Sequence, residues 1–412
     1  MQSYFSPEFF VRNRAKLREY VKDSVPIVIT ANGVMQRSGD EPLPFHQDSN
    51  FWYLTGLNGA DLTLVIHGSS TFVIVPGLSA IREAFDGAHD VQAYAKRSGI
   101  AEFLPERDGW QRLRDLLQTT RTVATLASAP PYLNSHGLYT LPYRRRLIAR
   151  LKRMAPGLDI QDLRSDMANM RCIKQPEELQ ALQRAIDITS ETLQDIAAHS
   201  LKAAKHEYEL EATLSYDFRK RGAEGHAFSP VVGAGIHSTT LHHVENNGPI
   251  MHDDLIVVDI GAEVEHYAAD IARTVSQAPI TGRKADVFKA VASAQDYAIS
   301  LIKPGIMPAD YERAVETYIG KQLRQLGVLK DSSRESIRRY FPHATSHFLG
   351  LDTHDVGNYR APWEAGMVIT CEPGIYLPEE SIGVRLEEDI LITEKGSEVL
   401  SRACPQALTP VQ

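Results

Sequence analysis

The sequence predicts an α/β (α+β) chain of two domains, and three observations carry that expectation. Short apolar strands alternate with charged helical segments from Val25 to about Lys152. A clear helix begins at Pro176, after a loop at Met154-Ala155-Pro156-Gly157. Finally, two apolar strands, Leu255–Ile260 and Met367–Cys371, each bring a carboxylate to a turn-forming glycine, which points to an internal duplication. The boundary falls between Pro156 and Arg171, giving a mixed α/β domain over residues 1–165 and a second domain over 170–412.

With 412 residues, the chain is long enough to bury a large core in each part. Its 52 acidic against 44 basic side chains leave a net charge of −8, so no global basic footprint for nucleic acid exists. Three cysteines, Cys172, Cys371 and Cys404, are too few and too odd in number for a disulfide framework and fit a reducing, cytoplasmic setting. Charges interrupt Met1–Lys22 every few residues, which excludes a signal peptide, and no window approaches the roughly 18 apolar residues of a membrane span.

Along the first domain, Ser6-Pro7-Glu8 opens an amphipathic helix bearing Phe9, Phe10, Leu17 and Val21. Pro26–Ile29 reads as a strand, and Asp61–Ile66 with Thr71–Val75 as a hairpin around Gly68-Ser69. Helices follow at Ile81–Phe85 and Trp110–Leu117. The basic run from Arg144 to Arg153 has helical spacing and no interleaved aromatic residues, so it reads as a solvated helix face. In the second domain, Glu177, Leu179, Leu182, Ala185, Ile186 and Thr189 keep a period near 3.6, with acids in the first turn.

The chemistry concentrates in the two acid strands. Asp270 follows Asp259 at a spacing of 11 and Glu387 follows Glu372 at a spacing of 15, both suited to antiparallel strands whose acids meet side by side. Four carboxylates at one focus repel unless positive charge lies between them, which favours a pair of divalent metals. Oxygen-rich ligation with an imidazole suits Mn²⁺-like ions better than thiolate-bound zinc. The imidazole is at hand, since His343, His347 and His354 crowd the segment before the second acid strand. His242-His243 carries no assignment on its own. Competing motifs are missing: His206-Glu207-Tyr208-Glu209 is not HExxH, Gly233–Ser238 is not a dinucleotide fingerprint, and there is no GxSxG or CxxC. Cys371 reads as a small strand residue facing away from Glu372.

Asp259, Asp270, His347, Glu372 and Glu387, in that order, resemble the five-ligand dinuclear site of the pita-bread metallopeptidases. Arg37–Asp40 and Phe45–Gly56 resemble the N-terminal domain of the aminopeptidase P branch, and Met170–Leu179 resembles the entry to its catalytic domain. Ala344 stands where a glycine is common, and the Glu372–Glu387 loop is shorter than in that branch. The resemblance implies a pita-bread catalytic domain with pseudo-twofold repeats and five metal ligands holding two divalent ions, Mn²⁺ foremost. It implies His242, His354 and Glu372 as catalytic groups, and His242, His343, His354, Tyr376 and Arg385 as substrate-side groups. The implied reaction is hydrolysis, by a metal-bound hydroxide, of the bond between an N-terminal residue and proline, in peptides with proline second, by a dimeric or tetrameric enzyme. A prolidase restricted to Xaa-Pro dipeptides shares the same site, and a metal-free peptide-binding scaffold is the remoter alternative.

Overall fold

In the computed structural model, which describes residues 3–128, 133, 137–331 and 333–412, the chain divides into two compact units, Met1–Met170 and Arg171–Gln412. The helix Arg164–Cys172 contains the division point.

The first unit is built on a six-stranded sheet in the order Glu102–Pro105, Ser70–Val75, Thr63–His67, Ile27–Thr30, Thr122–Thr125, Asp159–Asp162. The expected hairpin closes at His67 opposite Ser70, leaving Gly68-Ser69 as its two-residue turn, with Gly68 at φ 55. The other joins to Glu102–Pro105, Thr122–Thr125 and Asp159–Asp162 are parallel. Leu113 and Leu117 of the helix Glu106–Gln118 and Leu147 and Leu151 of Tyr143–Met154, spaced four apart on each helix, bury with Val28, Val65, Phe72 and Val123. The helix Pro7–Arg18 begins with proline at its first position; Ser6 flanks it without capping through its side chain, and Val21 is buried beyond its end. Its Phe9 and Phe10 form an edge-to-face cluster with Trp52 and Tyr53.

The basic run is mostly the solvated face expected of it, with Arg145, Arg146, Lys152 and Arg153 exposed, but two of its cations turn back to the unit. The Arg150 guanidinium lies 3.7 Å from the centroid of the Trp110 ring, and Arg144 pairs with Asp48 at 2.7 Å. These two therefore serve packing within this unit.

The second unit repeats one plan twice. Helices Pro176–Asp195 and Glu207–Arg221 precede a sheet of Val231–Ala234, Ile256–Ile260 and Ile271–Val275. Helices Gly282–Leu301 and Pro308–Gln325 precede a sheet of Val368–Cys371, Glu388–Thr393 and Gly396–Val399. Pro176 opens its helix through a capping box in which Gln175 N donates to Glu178 Oε2 at 2.9 Å. In each half a short hairpin interrupts the two acid-bearing strands: Ala262–Val264 with Tyr267–Ala268, then Gly374–Leu377 with Ile382–Arg385. The larger second hairpin accounts for the longer spacing between its acids. Entry to the first hairpin demands glycine, because a β-carbon at Gly261 would fall 1.7 Å from Ala269 O.

Candidate metal centre

Register delivers the acids. Ile256–Ile260 pairs antiparallel with Ile271–Val275, Asp259 opposite Ala272 and Ile260 opposite Ile271, so Asp270 enters its strand beside the end of the other. Val368–Cys371 pairs with Glu388–Thr393, Cys371 opposite Glu388, which leaves Glu372 and Glu387 just beyond that last pair. Side chains alternate along a strand, so Glu388 points away from Glu387 and is satisfied by the buried Arg273 at 2.7 Å.

His347 is fixed by the strand next to it. Its carbonyl accepts from Thr370 N at 2.9 Å and its own N–H donates to Thr370 Oγ1 at 3.1 Å. Its Nδ1 donates to Phe348 O at 3.0 Å, which directs Nε2 to 3.4 Å from Asp270 Oδ2 and 3.3 Å from Glu372 Oε1. Asp270, His347 and Glu387 each offer a ligand atom within 4.8 Å of the others.

The electrostatics are those of crowded anions. Burial, then the neighbouring Asp259, push the Asp270 carboxyl up to about 6 against the relief His347 gives. Burial, with Asp270 and Asp259 added, pushes Glu372 up to about 8 despite His347 and Arg385. Burial and the other three acids hold Glu387 well above the ordinary glutamate range. Burial opposes charge on His347, but Asp270 and Glu372 outweigh it and raise the imidazole to about 9. Asp259 Oδ2 accepts from Arg385 Nη2 at 2.6 Å, while its buried Oδ1 has no hydrogen-bond partner. A set of buried oxygen acceptors, one of them orphaned, around an imidazole whose Nε2 faces the acids fits divalent cations.

Around these five, the structure gathers the other expected residues. His343 Nδ1 donates to Ala344 O at 2.7 Å and its Nε2 accepts from the Tyr376 hydroxyl at 2.9 Å. Burial, followed by the positive Arg385, lowers its pKa to about 3, so the ring is neutral. Tyr376 also receives Arg385 Nη1 at 3.1 Å. His354 is exposed and presents its ring edge-on to His347, with centroids 4.4 Å apart. His242 is exposed, on the loop whose Leu241 O accepts from Arg385 Nη2 at 3.3 Å. Its neighbour His243 turns away to Glu207. Cys371 is buried against the Tyr311 hydroxyl, 3.5 Å from its sulfur.

Two supporting groups escaped sequence reasoning. Asp389 Oδ2 accepts from Asp270 N at 3.1 Å, tying the second acid strand to the first; the signal was its place two residues after Glu387, on the same strand face. Buried Asp355 is clamped by Arg171 and, at 3.0 Å, by Lys174, which anchors the chain beside His354. No local pattern reveals that pairing, because its partners are far apart in sequence.

A duplicated α/β unit that focuses four carboxylates and an imidazole on one seam defines a metal-binding hydrolase domain. The chain belongs to metallopeptidase family M24, whose model matches residues 180–394. Residues 10–125 match the aminopeptidase P N-terminal domain. Among curated proteins, the Xaa-Pro aminopeptidase of Escherichia coli is 32% identical, over 97% of this chain and 95% of that protein. Xaa-Pro aminopeptidase 3 of Mus musculus is 31% identical, over 94% of this chain and 80% of that protein. The solved structure of E. coli aminopeptidase P with the inhibitor Pro-Leu superimposes with a TM-score of 0.85 at 28% identity, covering 98% of this chain and 97% of that one. No helix among the described residues is long and apolar enough to cross a membrane.

Proposed function

We propose that this protein is an Xaa-Pro aminopeptidase that uses two divalent ions, Mn²⁺ foremost, held by Asp259, Asp270, His347, Glu372 and Glu387. The observation that carries the reading is the seam itself: four mutually repelling carboxylates and a raised imidazole, in a chain similar to Xaa-Pro aminopeptidases over nearly its whole length. The oxygen-rich donor set supports manganese over softer ions. When bound, the ions polarise the scissile carbonyl and make an attacking water acidic enough to react near neutral pH.

The remaining work falls to the chain. Glu372, oriented by the Thr370 hydroxyl 3.3 Å from its Oε1, takes the proton of the attacking water and passes it to the departing nitrogen. His354 and His242, at the exposed rim, donate to the oxyanion and the leaving group. His343 and Tyr376 form a neutral hydrogen-bonded pair beside Glu372, and Arg385 orients both Tyr376 and Asp259. An Xaa-Pro bond has no amide N–H, so a site that grips substrate through its amine and its ring needs none.

A cytoplasmic location and a dimeric or tetrameric state belong to the same reading; the buried free thiols of Cys172, Cys371 and Cys404 support the former. The deciding assay compares Ala-Pro-Ala with Ala-Pro, with and without added Mn²⁺. Cleavage of the tripeptide is expected; cleavage of the dipeptide alone would make the protein a prolidase, and no metal-dependent cleavage of either would return it to a binding scaffold.

A further inference from the structure

The loop that presents His242 is gripped on both shoulders. On one side, Leu241 O accepts from Arg385 Nη2 at 3.3 Å and Ser238 Oγ accepts from Gly383 N at 2.8 Å. That approach is so close that a β-carbon at Gly383 would fall 2.0 Å from Ser238 O. On the other side, His243 Nε2 donates to Glu207 Oε2 at 2.9 Å.

Glu207 is wholly buried at the start of the helix Glu207–Arg221 and accepts four bonds. Oε1 takes Ala234 N at 2.8 Å and His237 Nδ1 at 2.9 Å; Oε2 takes His243 Nε2 at 2.9 Å and Gly248 N at 2.7 Å. Burial alone would push this carboxyl up, but the two backbone donors and the two imidazoles outweigh it and hold it below the ordinary glutamate value. Asn246, at φ 44, adds a second tie by donating to Glu211 Oε2 at 3.0 Å.

Glu207, His237 and His243 carry the ligand atoms of a metal triad, and they lie within 4.8 Å of one another. Their geometry argues against one. The two rings stack with centroids 4.1 Å apart and planes only 30° from parallel, and each aims at a different carboxylate oxygen. A shared ion needs both lone pairs to converge on one point. Two N–H groups on two oxygens need what is observed.

We propose that Glu207, with the stacked rings of His237 and His243 hydrogen-bonded to it, is a positioning clamp that fixes the backbone either side of His242 and so aims that imidazole at the reacting bond. This rests on the reading of His242 as a donor in Xaa-Pro hydrolysis. A clamp of this kind acts in the transition state, where about 1 Å of misplacement costs about 100-fold.

The test is a double-mutant cycle together with hydrogen–deuterium exchange of the whole chain. His243→Leu is expected to lower kcat on Ala-Pro-Ala by about 10- to 100-fold with KM within about twofold. His243→Gln, which can return an N–H near the lost Nε2, is expected to recover most of that. In a His242→Ala background, His243→Leu is expected to add less than about twofold, because its effect runs through the missing ring. Amides of residues 235–246 are expected to exchange faster in Glu207→Gln, with residues 256–260 unchanged. Fully additive losses in the cycle would overturn the clamp, and so would unchanged exchange in Glu207→Gln. A wild-type chain that cleaves no Xaa-Pro peptide would overturn the reaction instead, and the exchange data then decide the clamp by themselves.

Discussion

Arg385 donates from Nη2 to Asp259 at 2.6 Å, with the guanidinium side chain 4% and the carboxylate side chain 14% exposed. The bond neutralises Oδ2 and leaves Oδ1 as the acceptor without a partner. One oxygen of Asp259 is thus committed to the protein and the other is left buried without a hydrogen-bond partner. Because the same guanidinium serves the Tyr376 hydroxyl and Leu241 O, it sets three groups at once.

Arg385→Lys is expected to lose about 10- to 100-fold in kcat/KM, the usual cost of removing a group that orients a metal ligand, the role proposed for its partner Asp259. Lysine keeps the charge but cannot fork to both Tyr376 and Asp259. Steady-state kinetics on Ala-Pro-Ala with metal content measured in parallel checks this; a fully active lysine variant would reduce Arg385 to simple charge balance.

Asp259→Asn is expected to lower activity by more than about 100-fold, beyond the cost of an outer partner, while the far-ultraviolet circular dichroism stays that of the wild type. The asparagine still fills the space, and relief of repulsion among buried acids offsets the lost ion pair with Arg385. Global unfolding of the variant would show the carboxylate to be a structural element.

His354→Ala is expected to reduce kcat by about 10² to 10³, the cost of one donor to developing negative charge, with both metal content and KM little changed. His354 is exposed and presents its ring edge-on to His347, which places it at the rim rather than among the proposed ligands. Loss of metal in this variant would assign His354 to the ion rather than to the substrate.

Chelation exposes the electrostatics directly. In the metal-free protein Asp270 titrates near 6 and Glu372 near 8, both above their unfolded values, so the stability they lend is full in acid and lost as pH rises through 6 and then 8. His347, raised to about 9, lends stability that is likewise lost on going alkaline. All three signs agree: with EDTA present, Tm is expected to fall between pH 5 and pH 9, and added Mn²⁺ to raise it more at pH 8 than at pH 6. A chelated protein that gains stability over that range would contradict the crowding of these acids.

Much of this was legible in one chain. Asp259 and Glu372 betray themselves because an acid at the end of an apolar strand is costly unless something answers it. The hairpin at Gly68-Ser69 and the helix from Pro176 announce themselves through turn and cap chemistry. The rest depends on pairings across long separations. Arg150 stacking on Trp110, Asp355 between Arg171 and Lys174, and Glu207 gathering His237 and His243 are tertiary choices that no local period encodes. His243 shows the limit most sharply: read in sequence, the His242-His243 pair carries no assignment of its own, and only the fold turns His243 to Glu207 while His242 stays exposed.

The two acid strands are also sewn to each other. Glu387 N donates to Ala272 O at 3.0 Å, Thr274 Oγ1 donates to Arg385 O at 3.0 Å, and Arg273 Nη1 donates to Glu387 O at 2.6 Å. One backbone bond and two side-chain bonds of this kind brace the strands against each other, so the fold itself fixes where the carboxylates stand. Ca²⁺ wants six to eight oxygens at about 2.3–2.6 Å, whereas the proposed donor set is four carboxylates and one imidazole on braced strands. Calcium is therefore expected to leave the chelated protein inactive at concentrations where manganese restores it, a discrimination that the bracing of the strands adds to the chemistry of the donor set.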